Sequence, residues 1–428
     1  MLLAAVLVCA EARGEGLMKA SVKTSRVGRV DPIHRPADRP AVLAQTRNLK
    51  MARSAHAYVR GSTAKFYEWL DQSAGAVPAG PPVWICGDCH LGNLGPLADA
   101  KGRVAVQIRD LDQTVIGNPA HDLIRLGLSL ASAARGSDLP GVATARIIEQ
   151  LMAGYEAALA GDFDQASDKS NRPESIQRLL ERSMARRWRH LATERLDGVK
   201  PQVPLGKKFW ALTQDERAAL AQLCAGDDVR AMVTGLKQRD DGDPVELVDA
   251  AYWMKGCSSL GRLRYAVMLR VGKGERAGLC LIDVKEAVGA AAPRDSKASM
   301  PRDNAVRVVT GARALSPNLG ERMIAARLLD KAVVLRELMP QDLKIEVEHL
   351  THDEAAALAA YLAGVVGRAH GRQMDAATRE AWRTDLAKAH TATLDAPSWL
   401  WSSIVELLSV HESAYLDHCR RFALAEAA

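Results

Sequence analysis

Aromatic residues are scarce in this chain: Phe, Trp and Tyr together make up 4% of 428 residues, with only 4 phenylalanines. Leu, Ala and Val must therefore supply the core. No run of residues reaches the roughly 20 apolar positions that a membrane-spanning helix needs, which argues against an integral membrane protein. Neither charge sign dominates, since 57 Lys and Arg face 51 Asp and Glu for a net charge of +6. That balance suits an anionic small ligand and is too diffuse for a nucleic-acid binder. The 7 cysteines are odd in number and scattered without a framework, as expected for free thiols in a reducing cytoplasm. There is no internal repeat and no low-complexity segment. What remains, 48% hydrophobic and 25% charged residues, is the composition of a globular protein long enough to form two lobes.

At the N-terminus Met1 to Ala10 is apolar and about the length of a signal-peptide core, but no Lys or Arg precedes it and Glu11, Arg13 and Glu15 follow. Met18-Lys19 is a second plausible start. Residues 1–40, with Pro32, Pro36 and Pro40, read as an extended arm.

The densest chemistry lies between residues 84 and 125. A short apolar strand, Val83 to Ile85, breaks into a loop carrying Asp88, His90 and Asn93. A second apolar strand, Val104 to Ile108, ends on Asp110 and Asp112, which strand alternation places on one face. Carboxylate and amide oxygens suit a hard cation such as magnesium. Phosphoryl transfer also needs a carboxylate beside the attacking hydroxyl.

The words Gly87-Asp88-x-His90-x-Gly92-Asn93, Asp110-Leu111-Asp112 and Gly117-Asn118-Pro119-x-x-Asp122-Leu123, in that order, resemble the catalytic and metal loops of aminoglycoside and choline kinases. With Arg60-Gly61 upstream and Val284-Lys285-Glu286-Ala287 downstream, most of residues 40 to 420 resembles more closely a bacterial family of unknown function, family 2252. The resemblance implies a protein-kinase-like α+β fold that uses ATP and Mg2+. It makes Asp88 the catalytic acceptor of the hydroxyl proton and Asn93 and Asp110 the metal ligands, with Asp112 as a further one. His90, Asp122 and Arg125 are expected to be structural supports, with Asp122 capping or pairing within the fold and Arg125 one candidate partner.

Further along, three strands are expected at Leu247 to Lys255, Gly261 to Val271 and Leu279 to Ala287. The turn between the first two, with Gly256, Ser258, Ser259 and Gly261, can turn backbone N–H groups toward an anion. Lys285 lies within an apolar strand, where an unpaired ammonium is costly. A strand-borne lysine after a Gly/Ser turn matches the nucleotide-phosphate site of kinases. A helix over Asn304 to Leu315, a strand over Ala332 to Leu338 and helices near 174–196, 353–372, 376–392 and 397–424 complete the expectation.

Ordinary kinases place the lysine strand before the catalytic aspartate, and here Lys285 follows Asp88. A circular permutation reconciles the two, with a large helical lobe at 41–245, a small β lobe at 246–345 inserted within it, and helices from 346 on returning to the first. Two departures stand out. Cys86 replaces the usual histidine, and no glutamate falls within 303–320, where the lysine's helix partner should lie. The expected function is therefore an ATP- and magnesium-dependent phosphotransferase acting on a hydroxyl of a small-molecule or protein acceptor. Nucleotidyl transfer and a nucleotide-binding pseudo-kinase are the alternatives. Cys86-Gly87-Asp88-Cys89-His90 also fits the C-x-x-C-H haem pattern, a minor redox alternative.

Overall fold

The computed structural model describes residues 35–137, 139, 141–163, 172–196, 202–236, 239–256, 260–274, 277–345, 351–390 and 395–422. Contacts group Ile33–Ala428 as one unit. The architecture is α+β. Among the described residues there are ten strands: β1 Val83–Ile85, β2 Leu94–Ala98, β3 Val104–Ile108, β4 Val115–Gly117, β5 Phe209–Trp210, β6 Val245–Trp253, β7 Arg264–Val271, β8 Gly278–Glu286, β9 Met323–Leu328 and β10 Lys331–Glu337. β5 to β10 form one antiparallel sheet in the order β5-β6-β7-β8-β10-β9; β1 pairs with β4, and β2 with β3.

The large sheet follows from strand alternation. On β8, Cys280, Ile282 and Val284 face a core shared with Leu220, Val229 and Val233 of the helices Gln214–Cys224 and Asp227–Thr234. Leu281 belongs to a separate core with Phe209, Trp253, Ala266 and Met268. Asp283 and Lys285 continue the Leu281 face, so the apolar face gives way to charge at one end of the strand. The sheet reaches beyond the expected 246–345 boundary, because β5 and these two helices come earlier in the chain.

A second core joins the hairpin region to the helices Pro119–Gly136, Gly141–Ala160 and His352–Gly371. Asn118 caps the first by accepting from the Ala120 N–H, with Pro119 just inside. Thr351 and Glu354 form a capping box on the third. Gly141–Ala160 and His352–Gly371 approach backbone to backbone: a Cβ at Gly154 would lie 2.0 Å from the Ala360 carbonyl oxygen. The C-terminal helices thus pack on the earlier helical region.

The chain between β10 and residue 345 is fastened. The Leu338 N–H donates to the Leu281 carbonyl at 2.9 Å. Arg322, fully buried, donates to the Glu337 carbonyl at 2.8 Å and pairs with Asp342 at 3.1 Å. Ser183 Oγ donates to the Gln341 carbonyl at 2.6 Å and Arg186 Nε to the Pro340 carbonyl at 2.5 Å. This grip explains one departure from expectation. The helix expected at 174–196 is two helices, Glu174–Ala185 and Trp188–Leu196, broken where Arg186 turns extended to reach Pro340.

Of the expected arm, residues 1–34 lie outside the described residues, and a helix already starts at Arg39. Among the described residues no helix is long and apolar enough to cross a membrane.

Candidate active site

β3 delivers the two acids. Ile108 is buried at its end, and Leu111 packs into the same core, so Asp110 and Asp112 flank a buried residue and face away from it. In the hairpin turn, Asp99 Oδ1 accepts from the N–H groups of Lys101 (2.9 Å) and Arg103 (2.8 Å), and Gly102 takes φ +82°. Two arginines hold the acid loop by its carbonyls. Arg336 on β10 donates to the Arg109 carbonyl at 2.9 Å. Arg307, on the helix Asn304–Leu315, donates to the carbonyls of Thr114, Asp112 (3.1 Å) and Val288 (2.8 Å).

Lys285 comes to these acids from β8. Its Nζ lies 3.3 Å from both carboxylate oxygens of Asp110 and forms an ion pair with Asp112. Residues 175 positions apart thus meet at one point. Behind them Asp283, buried, accepts from Arg264 at 2.8 and 2.6 Å, with Arg336 at 3.5 Å and Lys255 at 3.7 Å. Lys255 also lies over the Trp253 ring at 4.0 Å. Four cations therefore surround three carboxylates.

The electrostatics separate the two acids. Burial works against ionisation of Asp110, yet Lys285, Arg336 and Arg264 hold its pKa below the usual carboxylate range. Burial and the charge of Asp110 push Asp112 up. Asp283 is likewise opposed by burial but held low by Arg264, Lys255 and Arg336. The cavity lined by Asp110, Asp112, Asp283, Lys285 and Arg336, with Val308 and Leu319 as apolar wall, measures about 30 Å³. That is room for a cation or a water or two.

The other expected site residues are placed differently. Asp88 does not aim outward. It is buried, with Oδ2 accepting from Thr63 Oγ1 at 2.9 Å and Oδ1 from Arg125 Nε at 2.9 Å. Arg125, itself 1% exposed, also donates to the Val59 carbonyl at 2.6 Å. Arg125 therefore pairs with Asp88, and the expected Asp122–Arg125 pair does not form. Asp122 instead accepts from the N–H groups of Cys86 (2.7 Å) and Gly87 (2.9 Å) and lies 3.2 Å from His370 Nε2. His370 Nδ1 is 3.0 Å from the Tyr155 hydroxyl. Gly87 has φ +73°, and a Cβ there would lie 2.2 Å from the Gln113 carbonyl oxygen, so the loop requires glycine. Asn93 Nδ2 donates to the Asp88 carbonyl at 2.9 Å, and Asn93 does not line the cleft cavity. His90 is buried, and burial together with Arg60 and Arg125 pushes its pKa well down, so the ring is neutral.

Gly256 and Gly261 have φ +100° and +104° and bound the turn into β7, where Arg264 sits beside Lys285 in register. Neither glycine lines the cleft cavity. Ser258 and Ser259 lie outside the described residues. Sequence reasoning missed Arg264, Asp283, Arg336 and His370. An acid and a lysine two apart on β8 were the available signal for Asp283.

Cys86, Cys89 and Asp122 place three ligand-type atoms within 4.8 Å of one another, all buried. Burial pushes the Cys86 thiol well up. The Cys89 thiol, relieved in part by its contact with Cys86, is also raised by burial. Asp122 already takes two N–H donors and faces His370. A metal would have to strip both thiol protons and replace those donors. Both thiols are fully buried, packed in the core shared with Ile85 and Leu91.

The structure thus defines an α+β protein with an acid–lysine cleft beside an antiparallel sheet. The profile of DUF2252, described as an uncharacterized protein conserved in bacteria, matches residues 39–421, and the chain belongs to that family. No curated protein and no solved structure matches it.

Proposed function

We propose that this protein binds ATP with magnesium at the Asp110–Asp112–Lys285 cleft and transfers a phosphoryl group to an acceptor hydroxyl. The observation that carries this is the meeting of Lys285 with both acids at 3.3 Å or less across 175 residues of chain. Two carboxylates suit magnesium, and a strand lysine suits the phosphates it would bridge. Asp110, held ionised, would take the metal. Lys285 would leave the acids for phosphate oxygens as the metal replaces its charge.

The order of elements supports a permuted kinase-like arrangement. Lys285 lies on the third of three successive strands, β6 to β8; a helix, Asn304–Leu315, comes next, then two strands and a connection to helices. In kinases that helix supplies a glutamate to the lysine. Here it supplies Arg307, and the acids themselves pair with Lys285. Phosphoryl transfer depends mainly on positioning and charge, so a cleft of this kind can act without a strong general base.

One observation favours the second reading, nucleotidyl transfer or nucleotide binding alone: Asp88, the expected proton acceptor, is sealed against Arg125. The test is ATP turnover with a metabolite and protein acceptor screen, using mass spectrometry to tell an added phosphate from an added nucleotide. Lys285→Ala should reduce both ATP affinity and rate. Magnesium-dependent ATP binding that survives both Lys285→Ala and Asp110→Asn would remove the cleft from consideration.

A further inference from the structure

A second and much larger cavity, about 570 Å³, lies along β3, lined by its residues Val104 to Gln107. Its walls are β3, the helix Glu174–Ala185 and the helix His352–Gly371 with the turn that follows. Among the described residues, four guanidinium groups line it, Arg103, Arg172, Arg368 and Arg372, with one carboxylate, Asp99. That carboxylate is already engaged by Arg103 Nε at 2.7 Å and by two N–H groups. Gln107 and Asn318, hydrogen-bonded to each other at 3.0 Å, also line it, and Val106, Leu180 and Val365 with the Tyr361 ring supply apolar surface.

The helical wall places Arg368 and Arg372 one turn apart, where like charges repel. Loss of water around Arg372, then the charge of Arg368, push its pKa down to about 10. Arg372 gives one N–H to the Leu315 carbonyl at 2.5 Å, and a guanidinium carries five donors. A cavity of this size, lined by apolar side chains and by several guanidinium groups, has the makeup of a ligand site and not of a packing defect. Guanidinium groups recognise phosphate and carboxylate by paired donors.

We infer that this cavity is a binding site, separate from the Asp110–Lys285 cleft, for a small organic phosphate whose apolar body rests on Val106, Leu180 and Val365 and whose phosphate meets Arg368 and Arg372. The site is independent of the cleft because no residue lines both. Both border β3, however: Val104 to Gln107 face this cavity, and Arg109 to Asp112 face the cleft.

The experiment is calorimetry on the full chain with 1-naphthyl phosphate, 1-naphthol and inorganic phosphate as probes, in low and moderate salt. The phosphate ester should bind more tightly than either fragment, and its affinity should fall as salt rises. Arg368→Gln with Arg372→Gln should weaken it tenfold or more. Thermal unfolding of the variant checks that the fold is kept. Lys285→Ala should leave this binding unchanged, which separates the site from the cleft. Equal binding of naphthol and its phosphate, no binding of the ester, or binding lost in Lys285→Ala and kept in the double variant would overturn the assignment.

Discussion

Asp88 and Asp110 lie in one short stretch of chain and belong to two different kinds of site. Asp88 and Asp122 are sealed: every carboxylate oxygen of the pair is met by fixed donors, Thr63, Arg125, two backbone N–H groups and His370. Asp110 is half open, and its partner is a lysine on a flexible stem. Buried donors, each held by further contacts as Arg125 is by the Val59 carbonyl, make scaffolding. A displaceable cation beside two acids makes a place where something can be exchanged. The comparison teaches that a carboxylate's role is set by what already occupies its oxygens, a property that the local sequence words do not carry.

The comparison can be broken most forcefully at the sealed end. Asp88→Ala strands the Arg125 guanidinium in a buried setting, which costs about 3–5 kcal/mol for broken buried pairs. Urea denaturation should show that loss, and a change under about 1 kcal/mol would mean that Asp88 is not scaffolding.

At the open end Asp110→Asn should leave stability nearly unchanged, because its pair is partly exposed and such pairs contribute roughly 0–1 kcal/mol. It should weaken ATP binding tenfold or more with magnesium and much less without. Equal weakening in both conditions would deny Asp110 the metal.

Protonation sharpens the comparison from another side. Burial pushes His56, His121 and His411 down to about 4. The folded state therefore binds fewer protons than the unfolded chain between about pH 6.5 and pH 4. Stability should be full near pH 7 and fall as pH drops through that window, by up to roughly 1.4 kcal/mol per unit for each histidine. Loss beginning only below pH 4 would show that these rings protonate freely in the fold. His411→Gln should flatten part of the slope.

The smallest effect concerns Lys285 alone. Since it occupies the acids that would hold the metal, Lys285→Ala should bind magnesium without nucleotide slightly more tightly, by a few-fold. Weaker metal binding in that variant would mean that Lys285 organises the acids and does not compete for them.

Much of the architecture was legible. The strands at 83–85 and 104–108 and the helix at Asn304–Leu315 fall where apolar spacing put them, because each is a short element with a clean period. The approach of Lys285 to Asp110 is what the kinase-like resemblance implies, since it needs the lysine and the metal-binding acids to converge; that these acids are themselves the lysine's partners was not legible. β2 was hidden, since Gly95 and Pro96 interrupt it and its pairing with β3 is what makes it a strand. The true partners of Asp88 and Asp122 were hidden for a different reason. Arg125 and His370 are chosen by helix packing, 37 and 248 residues away, and no local pattern encodes that choice. The rear cavity arises only when β3 and two distant helices come together.

The fastened connection after β10 has a bearing on how the molecule comes apart. Arg322, Ser183 and Arg186 bind the strand exit to elements of both the sheet and the helical region. Heat that loosens the sheet must release those helices as well, so the two melt as a single cooperative block. Calorimetry should record one transition; substituting Arg186, whose guanidinium ties the end of the helix Glu174–Ala185 to the Pro340 carbonyl, should split or broaden it.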